Sequence, residues 1–124
     1  MMSNDSWGLV DSHCHLDLEQ FDQDRAQVWA RAQGTGVRWL VLPGIDLAQN
    51  RRALAQAEGQ PAWYVAAGVH PNSADAFDAA ALNEVRQLAA HRKVVAIGEI
   101  GLDYYWNKVQ PEQQRRAFVQ QIGR

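Results

Sequence analysis

The stretch V-D-S-H-C-H-L-D, positions 10–17, sets His13 and His15 two residues apart, with Cys14 between them and Asp11 and Asp17 outside. An extended backbone turns alternate side chains to opposite faces, so His13 and His15 point the same way and can reach one ion. Cys14 then points the other way, toward a helix layer, as a small buried side chain and not a nucleophile. Asp11 shares the face of the histidines one step deeper, as a supporting acid more than a ligand. Taken alone, the pair reads equally well as two polar residues at a strand end. The rest of the chain decides between those readings.

Working outward, residues 9–12 read as a strand and 22–33 as a helix with Asp22 or Asp24 near its cap. Gly34 and Gly36 punctuate its end, and V-R-W-L-V-L at 37–42 is a second strand, stopped by Pro43 and Gly44. Asp46 caps a helix reaching Glu58, and A-W-Y-V-A-A-G-V-H at 62–70 is a third strand. Leu82, Val85, Leu88 and Ala89 fall at helical spacing within 78–91. K-V-V-A-I-G-E-I at 93–100 is a fourth strand, and Pro111 and Glu112 open a last helix.

Strand and helix alternate four times, which predicts the α/β class with parallel strands and right-handed crossovers. His13 and His15 then end the first strand, His70 the third and Glu99 the fourth. Barrels and open α/β sheets both place their chemistry at that C-terminal edge. This shared edge favours a metal pair over the bland reading of the two histidines.

Glu99 lies in an apolar strand, where an unpaired carboxylate is costly to bury. A cation compensates it, or an arginine does. Its two oxygens can bridge two divalent ions about 3.5–4 Å apart. Gly98 and Gly101 beside it permit close approach of backbone or ligand. His70, in G-V-H-P, can bind metal, contact a substrate phosphate or cap the loop, and substrate contact is the preferred reading. Asp103, in G-L-D-Y-Y, supports the site or caps a turn. Asp17 reads as a loop cap, His91 as a surface histidine at a helix end, and the five tryptophans as packing, not a base-stacking row.

The chain has 124 residues and a net charge of -2, so it is one domain at most and carries no basic stripe for nucleic acid. An enzyme that holds phosphates through metal ions needs no such stripe. The polar N-terminus, positions 1–8, carries no apolar run fit for secretion, and no segment approaches the ~20 apolar residues of a membrane helix. A single cysteine excludes an internal disulfide and fits a reducing cytoplasm.

D-S-H-C-H-L-D, G-V-H-P and I-G-E-I-G-L-D-Y-Y, in this order, together resemble the TatD family of metal-dependent deoxyribonucleases and related hydrolases. F-x-x-D-R at 21–25 and Q-x-x-x-F at 114–118 extend the resemblance over essentially the whole chain. It implies a (β/α)8 TIM barrel of the metal-dependent hydrolase type. It also matches His13 and His15 to ligands of one metal, Glu99 to the carboxylate shared by two, and His70 to a histidine near the substrate phosphate. The implied cofactors are Mg²⁺, Mn²⁺ or Zn²⁺, and the implied reaction is attack of a metal-activated water on a DNA phosphodiester. Family members are about twice as long, and their second half supplies two further histidines and an aspartate base. Residues 1–124 are therefore expected to form the N-terminal half of such a barrel, four β/α units, with part of the active site missing.

Half a barrel leaves two strand edges unpaired and is expected to self-associate. Two other readings stand beside the nuclease. One is a non-catalytic half-barrel remnant or assembly module that binds metal weakly. The other is a metal-dependent ester or amide hydrolase, such as an aminoacyl-ester deacylase.

Overall fold

Four β/α units form, as the alternation of apolar runs and capped helices predicts. The structure is a computed structural model that describes residues 7–123; the polar positions 1–6 lie outside the described residues. The strands are β1 (Leu9–Asp11), β2 (Val37–Pro43), β3 (Trp63–Ala67) and β4 (Val94–Ile97). They make one parallel sheet in the order β1-β2-β3-β4, with Asp11 opposite Leu40, Leu42 opposite Val65, and Ala67 opposite Ile97. The helices are α1 (Arg25–Gly34), α2 (Leu47–Glu58), α3 (Ala79–Ala89) and α4 (Pro111–Gln121). No helix among the described residues is long and apolar enough to cross a membrane.

Capping sets several boundaries. The Asp46 carboxylate accepts from Gln49 N and starts α2, and Asp78 accepts from Ala81 N and starts α3. The first helix begins later than position 22. Asp24 occupies its N-cap without a side-chain cap bond, while Asp22 accepts from the Arg25 guanidinium at 2.7 Å. A 3₁₀ turn at Glu19–Phe21 precedes it.

One face of the sheet is packed. Leu40, Leu42, Trp63 and Val65 meet Trp29, Ala53 and Ala57 in a buried cluster, with Cys14, Phe21 and Val28 against it. A second cluster joins Val69, Phe77, Val85, Val109 and Ala117. The other face is open: Val10, Trp39, Val95 and Ile97 are exposed, and β1 and β4 are outer strands. The tryptophans divide accordingly. Trp29 and Trp63 pack edge to face at 6.0 Å, whereas Trp7, Trp39 and Trp106 are exposed, so packing accounts for only part of that set.

Strands β1, β3 and β4 stop short of the polar residues expected to end them, β1 at Asp11, ahead of both His13 and His15. Past Ala67, the Asn50 amide replaces a neighbouring strand, accepting from Gly68 N at 2.9 Å and donating to Gly68 O at 2.8 Å. His70 N then donates to Ile45 O at 2.8 Å. Past Ile97, the Gly98–Glu99 peptide is cis; Gly44 N donates to Gly98 O at 2.9 Å and Glu99 N to Gly44 O at 3.0 Å. The end of β4 is thus tied to the end of β2 across Gly68. A Cβ on Gly68 would lie 2.9 Å from the Gly98 carbonyl carbon, and one on Gly44 would lie 2.4 Å from Gly68 O. At Gly98 a Cβ would meet only Ala66 Cβ at 3.8 Å, an ordinary contact. Close approach therefore demands glycine at positions 44 and 68, not at 98, while Gly101 is required by its φ of +142°.

Candidate metal centre

The segment after β1 carries His13 and His15 to the C-terminal rim, and the link from Glu99 N to Gly44 O carries Glu99 there. Donor atoms of these three side chains lie within 4.8 Å of one another. His13 Nε2 stands 3.7 Å from Glu99 Oε2, and the two imidazoles meet edge to face at 5.2 Å. Atoms bound to one ion at ~2.1 Å stand about 3–4 Å apart, so little movement is needed to close the set on a cation. No arginine pairs with Glu99 among the described ion pairs; its neighbours are His13 and His70.

The donor chemistry fits a divalent ion. Two neutral imidazoles and one carboxylate carry a single negative charge, a set accepted by Zn²⁺ and Mn²⁺ alike. His15 Nδ1 is buried without a hydrogen-bond partner, an unpaired polar atom of the kind a bound ion or an ordered water satisfies. Asp11 does not join the cluster; its Oδ1 accepts from His13 N at 3.1 Å and steadies the backbone between strand and ligand.

His70 lies three residues beyond β3, at the N-cap of the 3₁₀ segment Pro71–Ala76. Its Nδ1 accepts from Asn72 N at 3.0 Å, and its Nε2 stands 3.5 Å from Glu99 Oε1. The Nδ1 lone pair is thereby occupied, so the neutral ring carries its proton on Nε2. That tautomer has no lone pair to give a metal at Nε2 and has a donor to give an oxygen. The cap and the preferred contact with substrate oxygen are compatible, and metal ligation is not.

Asp103 is engaged in a turn. Its Oδ1 accepts from Tyr105 N at 3.1 Å and Trp106 N at 3.4 Å, and its Oδ2 accepts from Asn72 Nδ2 at 3.1 Å. Its link to the cluster runs through Asn72 and His70. Cys14 packs toward the helices, and burial pushes its thiol from 9.0 up to about 11, with the charges of Asp11 and Asp17 adding to the rise. Such a thiol is a poor nucleophile. His91 is half-buried, not free on the surface: Nε2 meets Glu58 Oε1 at 3.2 Å and Nδ1 accepts from Lys93 N.

Asp17 is no loop cap. It is 6% exposed, and its Oδ2 accepts from Gln49 Nε2 at 2.9 Å. Gln49 also accepts from Ile45 N at 2.7 Å and donates to Pro43 O, so one buried amide joins the turn after His15 to the end of β2. Arg25 grips the same turn, donating to Leu16 O at 2.7 Å, Asp17 O at 3.1 Å and Leu18 O at 2.7 Å. Gln56 adds a bond to Asp17 O at 3.0 Å. Sequence reasoning missed this clamp, although Arg25 stands in the F-x-x-D-R pattern. The available signal was Gln49 and Asn50, adjacent polar residues near the start of α2 that prove fully buried.

A parallel β/α sheet with an imidazole–imidazole–carboxylate cluster on its C-terminal rim has the layout of the β/α-barrel class, in which polar side chains gather at the strand ends. The model of the TatD related DNase family matches residues 10–124, and this chain belongs to that family. It is 42% identical over 116 residues to the 3'-5' ssDNA/RNA exonuclease TatD of Musicola paradisiaca, covering 93% of this chain and 44% of that protein. It is 40% identical over 115 residues to the uncharacterized metal-dependent hydrolase YabD of Bacillus subtilis, covering 93% and 45%. Among solved structures it superposes on YjjV, a TatD homolog from Escherichia coli, with a TM-score of 0.82 and 34% identity, over 92% of this chain and 45% of that one. The chain therefore spans about half the length of the relatives it matches, and its four β/α units correspond to a partial TIM barrel.

Proposed function

We propose that this chain contributes the N-terminal half, and the first metal ligands, of the active site of a divalent-cation-dependent phosphodiesterase acting on DNA. The observation that carries the reading is the cluster of His13, His15 and Glu99, with donor atoms within 4.8 Å and the His70 ring beside it. Relatives named as 3'-5' ssDNA/RNA exonucleases share about 40% identity with it and support the choice of a phosphodiester over an aminoacyl ester, while YabD, named as a metal-dependent hydrolase, supports the metal.

In this reading His13 and His15 bind through neutral imidazole nitrogens, and Glu99 supplies the negative charge, with a second oxygen free for a further cation or a water. A divalent cation held there supplies Lewis acidity, acidifying water and neutralising charge on phosphoryl oxygens. His70 Nε2–H donates to a phosphate oxygen and orients it. The clamp of Arg25, Gln49 and Gln56 holds the ligand-bearing turn against α1 and α2. Cys14 takes no part, and a lone thiol suits a reducing cytoplasm.

The test is Mn²⁺ binding by isothermal titration beside chelator-sensitive cleavage of 3′-labelled single-stranded DNA, both on a version extended to full barrel length. Glu99→Gln is expected to weaken Mn²⁺ at least about tenfold and to abolish cleavage, while Cys14→Ala changes neither. Mn²⁺ affinity unaltered by Glu99→Gln would overturn the metal assignment, and metal binding without any cleavage would favour the non-catalytic module.

A further inference from the structure

Directly after Glu99 the chain makes a loop that turns its largest side chains outward. Tyr104 is 51% exposed, Tyr105 84% and Trp106 63%. Exposed aromatic rings in a row mark a binding surface more often than a packing accident. The loop backbone is held firmly. Gln114, fully buried, accepts from Asp103 N at 2.7 Å and donates to Asp103 O at 3.0 Å and Val109 O at 2.8 Å. The Asp103 carboxylate caps the turn at Tyr105 and Trp106, and Asn107 completes the reversal with a φ of 54°. The rings are therefore presented by an anchored turn.

Their surroundings suit alternating bases and phosphates. Tyr105 and Trp106 meet edge to face at 4.9 Å, so one ring covers a single face of the other and keeps both of its own faces open. Lys108 Nζ lies 5.9 Å from the Trp106 ring, while Arg115 donates to Tyr104 Oη at 3.3 Å and is paired with Glu112 at 2.7 Å, so Lys108 is the cation beside the rings. The turn is joined to the metal cluster by a short relay, Asp103 to Asn72 at 3.1 Å and Asn72 to His70 at 3.0 Å. Nucleobases stack on aromatic faces without regard to sequence, and cations beside them hold the backbone.

We propose that Tyr105 and Trp106 form a stacking subsite for an unpaired nucleobase of the strand whose phosphodiester lies at the His13–His15–Glu99 cluster. This rests on the nucleic-acid reading above and adds to it a reason for single strands, since bases inside a duplex are already stacked on both faces. The subsite selects for the presence of a base, not for its identity.

The experiment measures fluorescence anisotropy of a labelled thymidine oligonucleotide with hydrolysis-resistant phosphorothioate linkages, beside an abasic strand of equal charge. The full chain binds the base-bearing strand more tightly, and Tyr105→Ala and Trp106→Ala each weaken it about tenfold toward the abasic value. Trp106→Phe keeps a ring and retains binding, which separates stacking from damage to the fold. Equal binding of both strands, or alanine variants that bind like the parent, overturns the subsite and leaves the nucleic-acid reading standing. If those alanine variants also sediment differently, the rings belong to a protein contact. Binding of neither strand overturns both readings.

Discussion

The backbone N–H of Asn72 donates to Nδ1 of His70 at 3.0 Å, and this bond decides which nitrogen of His70 faces the His13–His15–Glu99 cluster. With Nδ1 accepting, Nε2 carries the proton and stands 3.5 Å from Glu99 Oε1. His70 is then a hydrogen-bond donor beside the His13–His15–Glu99 cluster, in the tautomer that does not ligate through Nε2.

In a version extended to full barrel length, replacing His70 by alanine should accordingly leave Mn²⁺ affinity within about twofold of the parent while DNA turnover falls about 100-fold, the usual worth of a positioned proton donor. Titration calorimetry and a cleavage assay on the same preparation separate the two quantities. A loss of Mn²⁺ affinity as large as that in Glu99→Gln would make His70 a ligand.

Gly68→Ala puts a Cβ 2.9 Å from the Gly98 carbonyl, at the crossing that fixes Glu99. The overpacking should cost about 1–3 kcal/mol of stability, read from the urea midpoint, and should weaken Mn²⁺ in parallel. Gly34→Ala, where a Cβ meets nothing within 4 Å at the end of α1, is the control and should be neutral or slightly stabilising. Equal midpoints for the two variants would remove the steric account.

Arg25→Lys tests the clamp on the H-x-H turn. A lysine ammonium cannot reproduce the fork that reaches the carbonyls of Leu16, Asp17 and Leu18, so the variant should lose about 1–3 kcal/mol. Thermal unfolding reads the loss. If charge alone mattered, lysine would match arginine.

The outer strands β1 and β4 and the exposed Val95 and Ile97 predict self-association of residues 1–124. Sedimentation velocity should show a mass that grows with concentration, and Val95→Lys should shift the distribution toward monomer. A single monomeric species at every concentration would sink this expectation.

Much of this was legible in order and spacing. The β/α alternation depends on capping and hydrophobic period, which are local; Asp46 caps α2 as expected, and Asp78, at the start of the range read as helical, caps α3. The candidate metal residues were legible because polar groups near strand ends share one edge of any parallel sheet. The elements that misread were those where a side chain replaces backbone. His70 and Glu99 lie beyond their strands because Asn50 and Gly44 take over the pairing. Asp17 is buried because Gln49, far along the chain, meets it.

By itself, then, the sequence determined the α/β class, the rim on which His13, His15 and Glu99 stand, and the idle direction of Cys14, because all three follow from short-range geometry. Only the tertiary structure decided which glycines are indispensable, which nitrogen of His70 is free, and that Arg25, Gln49 and Asp17 form one clamp. Those depend on contacts between residues distant in sequence, where a tenth of a nanometre separates a hydrogen bond from a clash.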